Sequence, residues 1–253
     1  LIITFLGTGH SQGIPVIACD CPVCQSDNPL DKRLRTSVHI QHNDTSIVVD
    51  TGPDFRQQVL RENITKLDAI IYTHQHKDHI AGLDDVRSFN FKQKKPMPLY
   101  GNEDTLEQIK KDFYYAFEEN KYPGVPQILL EEITKKSFNI GELKIEPIEV
   151  MHYNLPVLGF RFGDFTYITD ANYISESEKL KLLNSKILVL NAIFRDEHYS
   201  HFNLDQAVKI VQEVKPEKAY FTHISHRMGL HNPVNSELPK NIELAYDGLK
   251  LEI

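Results

Sequence analysis

The run Ala69-Ile-Ile-Tyr72 reads as a short buried strand, and it leads straight into His74-Gln-His76-Lys-Asp78-His79. Four side chains of metal-ligating type thus fall within six positions at a strand end. On extended backbone, His74 and His76 point to one side because side chains alternate with period two. Asp78 and His79, where the chain turns towards a helix, face a second position displaced by a few ångströms. No other feature constrains the fold as strongly, since this strand end must open onto a pocket shared with distant segments. A chance surface cluster is a weak rival, because H-x-H-x-D-H demands several coincidences of type and spacing. The chain has twelve histidines, half of them in two groups, His74/His76/His79 and His223/His226/His231.

The 253 residues allow one large domain or two small ones, and no repeat, low-complexity tract or Pro/Gly/Ser linker divides them. A single domain over 1–253 is expected. Strands are predicted at Ile2–Leu6, Val38–His42, Ile47–Val49, Ala69–Tyr72, Leu143–Val150, Leu158–Phe162, Phe165–Ile168, Ile187–Leu190 and Lys218–Phe221. Helices are predicted at Phe55–Glu62, Gly82–Phe89, Asp104–Glu118, Ser177–Leu183 and Leu204–Val214, the last opened by Asn203 as N-cap. Hairpins followed by β/α alternation, then the same again, predict sheets sandwiched by helices. Positions 90–127 read as a helical insertion with the basic segment Lys92-Gln-Lys-Lys95 and the aromatics Tyr114, Tyr115, Phe117 and Tyr122. It either covers a cleft or, more simply, is a solvated charge run beside an amphipathic helix.

The longest unbroken apolar run, Phe113–Phe117, is far short of the roughly 20 residues a membrane-spanning helix needs. No basic-plus-apolar leader appears at the start, although opening on Leu1 leaves trimming open. A cytoplasmic protein away from membranes is the expectation. With 28 Lys+Arg against 35 Asp+Glu, the formal charge of −7 argues against a broad nucleic-acid face, though not against a local cationic site.

In its context the motif resembles the one that defines the metallo-β-lactamase superfamily, H-x-H-x-D-H after a strand. The resemblance implies a single-domain αββα sandwich and picks out further residues in order. Asp50, closing Ile47-Val-Val, matches the family's early aspartate, whose role is to orient a histidine ring or the metal loop. His152 matches the third-motif histidine, Asp170 in Tyr167-Ile-Thr-Asp170 the bridging carboxylate, and His223 in Tyr220-Phe-Thr-His223 the final ligand. The implied sites are one ion at His74, His76 and His152 and a second at Asp78, His79 and His223, with Asp170 shared. Singly, His152 reads equally well as a core histidine and Asp170 as a turn residue; in sequence order the ligand reading is preferred.

All three cysteines fall in Cys19-Asp-Cys21-Pro-Val-Cys24, an odd number that leaves a thiol over from any disulfide pairing. The spacing suits tetrahedral Zn²⁺ with three thiolates. The fourth ligand is open among His226, His231 and His10, in that order of preference; the bland account is three thiols in a reducing compartment. With the opening Phe5-Leu-Gly-Thr-Gly-His-Ser-Gln-Gly-Ile-Pro15, the cysteine loop is similar to the phosphodiesterase family that accompanies the carbon–phosphorus lyase pathway, the phosphoribosyl 1,2-cyclic phosphate phosphodiesterases. The likeness continues through His152, Asp170, Thr222-His-Ile-Ser-His226 and Tyr246-Asp-Gly248, nearly the full chain. It implies a structural zinc on Cys19, Cys21, Cys24 and His226, and a homodimer. The tRNA 3′-processing nucleases are more distantly similar and lack this cysteine cluster.

Two divalent ions would bring four positive charges, and Asp78, Asp170 and one hydroxide return three. The remaining charge suits a singly negative phosphodiester and its transition state. The expected reaction is hydrolysis of small, cyclic phosphodiesters by a hydroxide bridging two ions, Zn²⁺ or Mn²⁺. His201, in His198-Tyr-Ser-His201-Phe-Asn, is the candidate general acid, with His198 its rival; Asp78 combines ligation with proton transfer. Competing readings are a thioester, lactone or β-lactam hydrolase, a tRNA 3′-processing-type nuclease, a cofactor-biosynthesis protein of the pyrroloquinoline-quinone pathway, and a non-catalytic zinc-binding protein. Arg35 and Arg56 read as surface charges, and Asp247-Gly248 as a two-residue hairpin turn.

Overall fold

A computed structural model describes residues 1–253, whose strands form two sheets of seven. In chain order the first seven are β1 (Ile2–Gly7), β2 (Ser37–His42), β3 (Thr45–Val49), β4 (Ala69–Ile71), β5 (Met97–Gly101), β6 (Ile128–Glu132) and β7 (Phe138–Ile140). Then come β8 (Leu143–His152), β9 (Leu155–Phe162), β10 (Phe165–Tyr167), β11 (Ile187–Asn191), β12 (Lys218–Thr222), β13 (Ile242–Leu244) and β14 (Lys250–Glu252). The first sheet runs β14-β1-β2-β3-β4-β5-β6 and the second β13-β12-β11-β10-β9-β8-β7. The helices are α1 (Pro22–Gln25), α2 (Phe55–Arg61), α3 (Lys77–Ile80), α4 (Arg87–Gln93), α5 (Glu103–Asp112), α6 (Glu176–Lys179), α7 (Leu204–Val214) and α8 (His231–Glu237). None is long and apolar enough to cross a membrane.

Strand alternation sorts the apolar side chains into layers. Ile47 and Val49 of β3 enter the core between the sheets with Phe160, Tyr167 and Val189, whereas Val48 between them meets Phe55 and Phe89 of α2 and α4. On the second sheet, Leu188 and Leu190 face Leu204, Ala207 and Val211 of α7. Asn203 caps α7 reciprocally with Gln206, which fixes where its apolar stripe begins. The result is the expected αββα sandwich, with catalytic-type residues at strand ends along one edge.

Three local expectations are corrected. Positions 90–127 are not wholly helical, because Met97–Gly101 forms β5 between β4 and β6 in the first sheet. The helix expected at Asp104–Glu118 stops at Asp112, where buried Phe113 leaves helical geometry and Tyr114–Ala116 tightens into a 3₁₀ turn. Asp247-Gly248 does not close a hairpin, since β13 and β14 lie in different sheets. Asp247 instead bonds Thr8 Oγ1 at 2.8 Å and the Leu34 amide at 2.7 Å, fastening the crossing to the β1–β2 connection.

Candidate metal centre

Asp50 and His223 directly follow β3 and β12, and Asp170 lies three residues beyond β10. All three have left-handed backbone, with φ of 65° at Asp50, 55° at His223 and 54° at Asp170. Such geometry is uncommon outside glycine and persists where neighbouring bonds over-determine it. Those bonds are present. Asn191 accepts from the Ala171 amide at 2.8 Å and donates to its carbonyl at 2.9 Å, pinning the turn that carries Asp170. Ile224 donates to Thr8, and His10 donates to Ile224, so the opening Gly-rich segment braces the His223 turn.

The motif occupies the end of β4 and α3. Asp50 receives the Thr73 amide and hydroxyl, each at 2.9 Å, and lies 2.7 Å from His79 Nδ1. That contact leaves His79 Nε2 facing inward, buried and without a hydrogen-bond partner, 3.3 Å from both Asp78 Oδ2 and Asp170 Oδ2. Asp170 Oδ2 is also 3.2 Å from His223 Nδ1. The ligand-type atoms of Asp78, His79, Asp170 and His223 lie within 4.8 Å of one another, and those of His74, His76 and His152 form an adjoining group at the same spacing. The His74 and His79 rings, 4.2 Å apart, join the two groups. His152 is oriented by a 2.8 Å bond from Nδ1 to the Ser200 carbonyl.

His201 stacks on His223 at 4.8 Å, and its buried Nδ1 has no hydrogen-bond partner and lies 3.8 Å from Asp170 Oδ1. His198 packs between Phe194 and Tyr199, outside the donor groups. Thr73, Asn191 and the Ser200 carbonyl were not singled out from sequence. Only Asn191, a polar residue ending an apolar strand, carried a visible signal.

Electrostatics favour positive charge here. Burial alone would push His79 down, but the carboxylates of Asp78, Asp170 and Asp50 outweigh it and hold the imidazole well above its ordinary value. Burial would raise Asp170, yet His223 and His79 hold it well below the usual carboxylate range. Burial lowers His74, with the His79 charge adding to the effect. The same field that protonates His79 favours a divalent cation among these donors. For His201, burial and then the His223 charge push the imidazole down to about 2, so it is neutral in this arrangement.

At the cysteine loop, the structure brings His226 and neither His231 nor His10 to the three sulfurs. Cys19, Cys21 and Cys24 Sγ stand 3.2, 3.3 and 3.5 Å from His226 Nδ1. In tetrahedral Zn²⁺, bonds of roughly 2.3 Å to sulfur and 2.1 Å to nitrogen put those atoms about 3.6 Å apart, so the four donors fit. His231 bonds Arg33 instead, at 3.0 Å. The Cys24 amide draws Cys21 down to about 6, while burial holds Cys24 up at about 11. Three thiols around one imidazole cannot all ionise without a cation.

The β-lactamase superfamily domain model matches residues 45–224, which hold both donor groups. The chain belongs to the metallo-β-lactamase superfamily. Within it, a crystal structure of a diphosphatase from the PhnP family is 41% identical, with a TM-score of 0.94 over 100% of this chain and 97% of that one. That degree of likeness places the protein close to the PhnP family. A Porphyromonas gingivalis octanoyltransferase is 36% identical over 97% of this chain, which spans only 50% of that relative's length. The probable metallo-hydrolase YhfI of Bacillus subtilis is 26% identical over 85% of this chain and 89% of its own. Superfamily membership and the donor geometry together make the protein a metal-dependent hydrolase.

Proposed function

We propose that this protein hydrolyses small phosphodiesters, cyclic ribose phosphates among them. The observation that carries the reading is the pair of adjoining donor groups, with Asp170 of one also grouped with His152 of the other and with His201, whose Nδ1 is unpartnered. In this proposal His74, His76 and His152 hold one Zn²⁺ or Mn²⁺, Asp78, His79 and His223 hold another, and Asp170 is shared. Bound there, divalent cations would supply positive charge for a phosphoryl transition state and a nucleophile from water at neutral pH. His201 Nδ1 donates a proton to the leaving oxygen, drawn by the negative charge that develops there as the ester bond breaks. Asp50 holds the His79 tautomer, and Asp78 adds a carboxylate that can relay a proton. Likeness to a diphosphatase of the PhnP family supports phosphorus chemistry. A cytoplasmic setting, where the Cys19, Cys21, Cys24 and His226 zinc site keeps its thiolates reduced, is part of the same reading.

A second reading, hydrolysis of an acyl ester or thioester, is favoured by one observation, the likeness to half of a protein called an octanoyltransferase. A panel of cyclic and linear phosphodiesters beside thioesters, assayed on metal-loaded protein, separates the two. Phosphodiester turnover with inert thioesters is expected; the reverse pattern removes the first reading.

A further inference from the structure

In a layered sandwich the outer face of a sheet is normally apolar and lies under helices. The first sheet keeps to that rule at Leu6 and Val48, which pack with Phe55 of α2. Around them the same face turns polar. Thr4 of β1 stands between Lys250 of β14 and His39 of β2, and Gln41 of β2 stands between Ile2 of β1 and Ser46 of β3. All six line a cavity of about 490 Å³, walled by the β2–β3 turn and by residues 62–66 beyond α2. None of the donor residues of the metal centre borders it.

Two of these side chains keep open hydrogen-bonding positions. Ser46 Oγ donates to the Lys66 carbonyl at 2.8 Å, so it accepts from His39 Nε2, also at 2.8 Å. His39 Nδ1 is thereby an acceptor, and no group of the chain donates to it. Thr4 Oγ1 has no partner either, yet Thr4 and His39 are only 3% and 4% exposed. Valine or isoleucine would serve a buried strand position better, so polar groups kept there point to a bound molecule. The charges around the cavity cancel, Lys66 and Lys250 against Asp44 and Glu62. Lys250 pairs with Glu62 at 3.2 Å and Lys66 with Asp68 at 3.1 Å, while burial holds the His39 imidazole neutral, at about 4. The groups left to bind are uncharged: the Thr4 and Thr65 hydroxyls, the Gln41 and Asn63 amides, and His39 Nδ1. No Phe, Tyr or Trp lines the cavity to stack a flat ring, and its apolar surface is Ile2 and Ile64.

We infer that this cavity is a second ligand site, separate from the metal centre, and that it takes a neutral polyhydroxylated molecule of monosaccharide size. A hydroxyl both donates and accepts, so one functional group repeated around a ring meets the His39 acceptor, the hydroxyls and the amides alike. The C–H face of such a ring suits Ile2 and Ile64. An ionic ligand would have to compete for charges that are already paired, and a planar base would find no ring to stack on. The cavity falls within the ordinary size range of small-molecule sites. The inference stands whatever reaction the metal centre performs.

Calorimetric titration of metal-loaded protein with D-glucose, D-ribose and myo-inositol tests the site. Protonated glucosamine serves as a charged counterpart, and cyclohexanol as a ring of similar size with a single hydroxyl. At least one neutral polyol is expected to bind with a Kd of about 1 mM or tighter, and to lie on the Thr4–His39 floor in a crystal soaked with it. Thr4→Val and Gln41→Leu should each weaken that binding roughly three- to tenfold, the usual share of one hydrogen bond. Gln41 is exposed, so Gln41→Leu should melt at the wild-type temperature and remains informative if Thr4→Val folds poorly. Absence of binding by all three polyols overturns the inference, as does binding that Gln41→Leu leaves unchanged. Glucosamine or cyclohexanol binding as tightly as the best polyol would overturn the ligand class.

Discussion

Asp50 shows how one buried carboxylate sets the chemistry of a neighbour. It spends its acceptors on Thr73 and on His79 Nδ1, so that His79 Nε2 is left to face Asp78 and Asp170. Asp50→Asn keeps the shape but weakens that hold on the imidazole. We expect it to lower affinity for one cation roughly 10–100-fold, measured by competition with a chelator. Unchanged affinity would show that the His79 orientation is fixed elsewhere. His201 differs in kind, because it touches Asp170 and His223 without completing either donor group that the proposal loads. His201→Ala should lower kcat by about 10²–10⁴ while metal content stays at the wild-type value. Loss of a bound ion in that variant would mark His201 as a ligand and not a proton donor.

Among the elements, α3 is placed by close backbone approach to the segment after β3. A Cβ at Gly52 would sit 2.1 Å from the Asp78 carbonyl, and one at Gly82 would sit 2.1 Å from the Gly52 carbonyl. Thr51 donates to the His79 carbonyl and Gly82 donates to the Thr51 carbonyl, which locks the motif helix to Asp50. Gly52→Ala should cost about 2–3 kcal/mol, roughly 5–10 °C in Tm, and lower metal content as well. A normal melting curve with normal metal content would contradict this packing. The β1–β3 face carries a different liability. Buried Thr4, His39 and Ser46 line a polar cavity of about 490 Å³, with Glu62 at the end of α2 and Lys250 of β14 in its wall and none of the donor residues among its lining. His39 lies 2.8 Å from Ser46 Oγ, and burial lowers its pKa from 6.5 to about 4, with Glu62 opposing and Lys250 reinforcing. The unfolded chain therefore takes up this proton first. Stability is full above pH 6.5 and falls by about 3 kcal/mol as pH drops towards 4. His39→Gln should lose less stability than wild type between pH 7 and pH 4.5 in denaturant titrations; equal losses would contradict the assignment.

Taken as a whole molecule, the sandwich gathers donors from both sheets onto one edge. The share of this that could be read from the chain follows sequence distance. His74, His76, Asp78 and His79 announce themselves because their spacing is local. His152, Asp170 and His223 are ordinary in isolation and become candidates only through resemblance, since β8 to β12 must pair before they meet. Thr73, Asn191 and the Ser200 carbonyl act through bonds that no local pattern encodes. Five strands are not legible in the chain: Pro98 argues against a sheet-interior strand at β5, Ile128-Leu-Leu-Glu-Glu132 of β6 does not alternate, and β7, β13 and β14 are three residues each without the wholly apolar run that marks the equally short β4. Everything proposed for the chemistry depends on cations seated in these convergent groups. Anomalous diffraction from crystals of zinc-loaded protein tests that directly. Three peaks per chain are predicted, one among Cys19, Cys21, Cys24 and His226, and two about 3.5–4 Å apart on either side of Asp170. A map with no peak between His79, Asp170 and His223 would contradict the account.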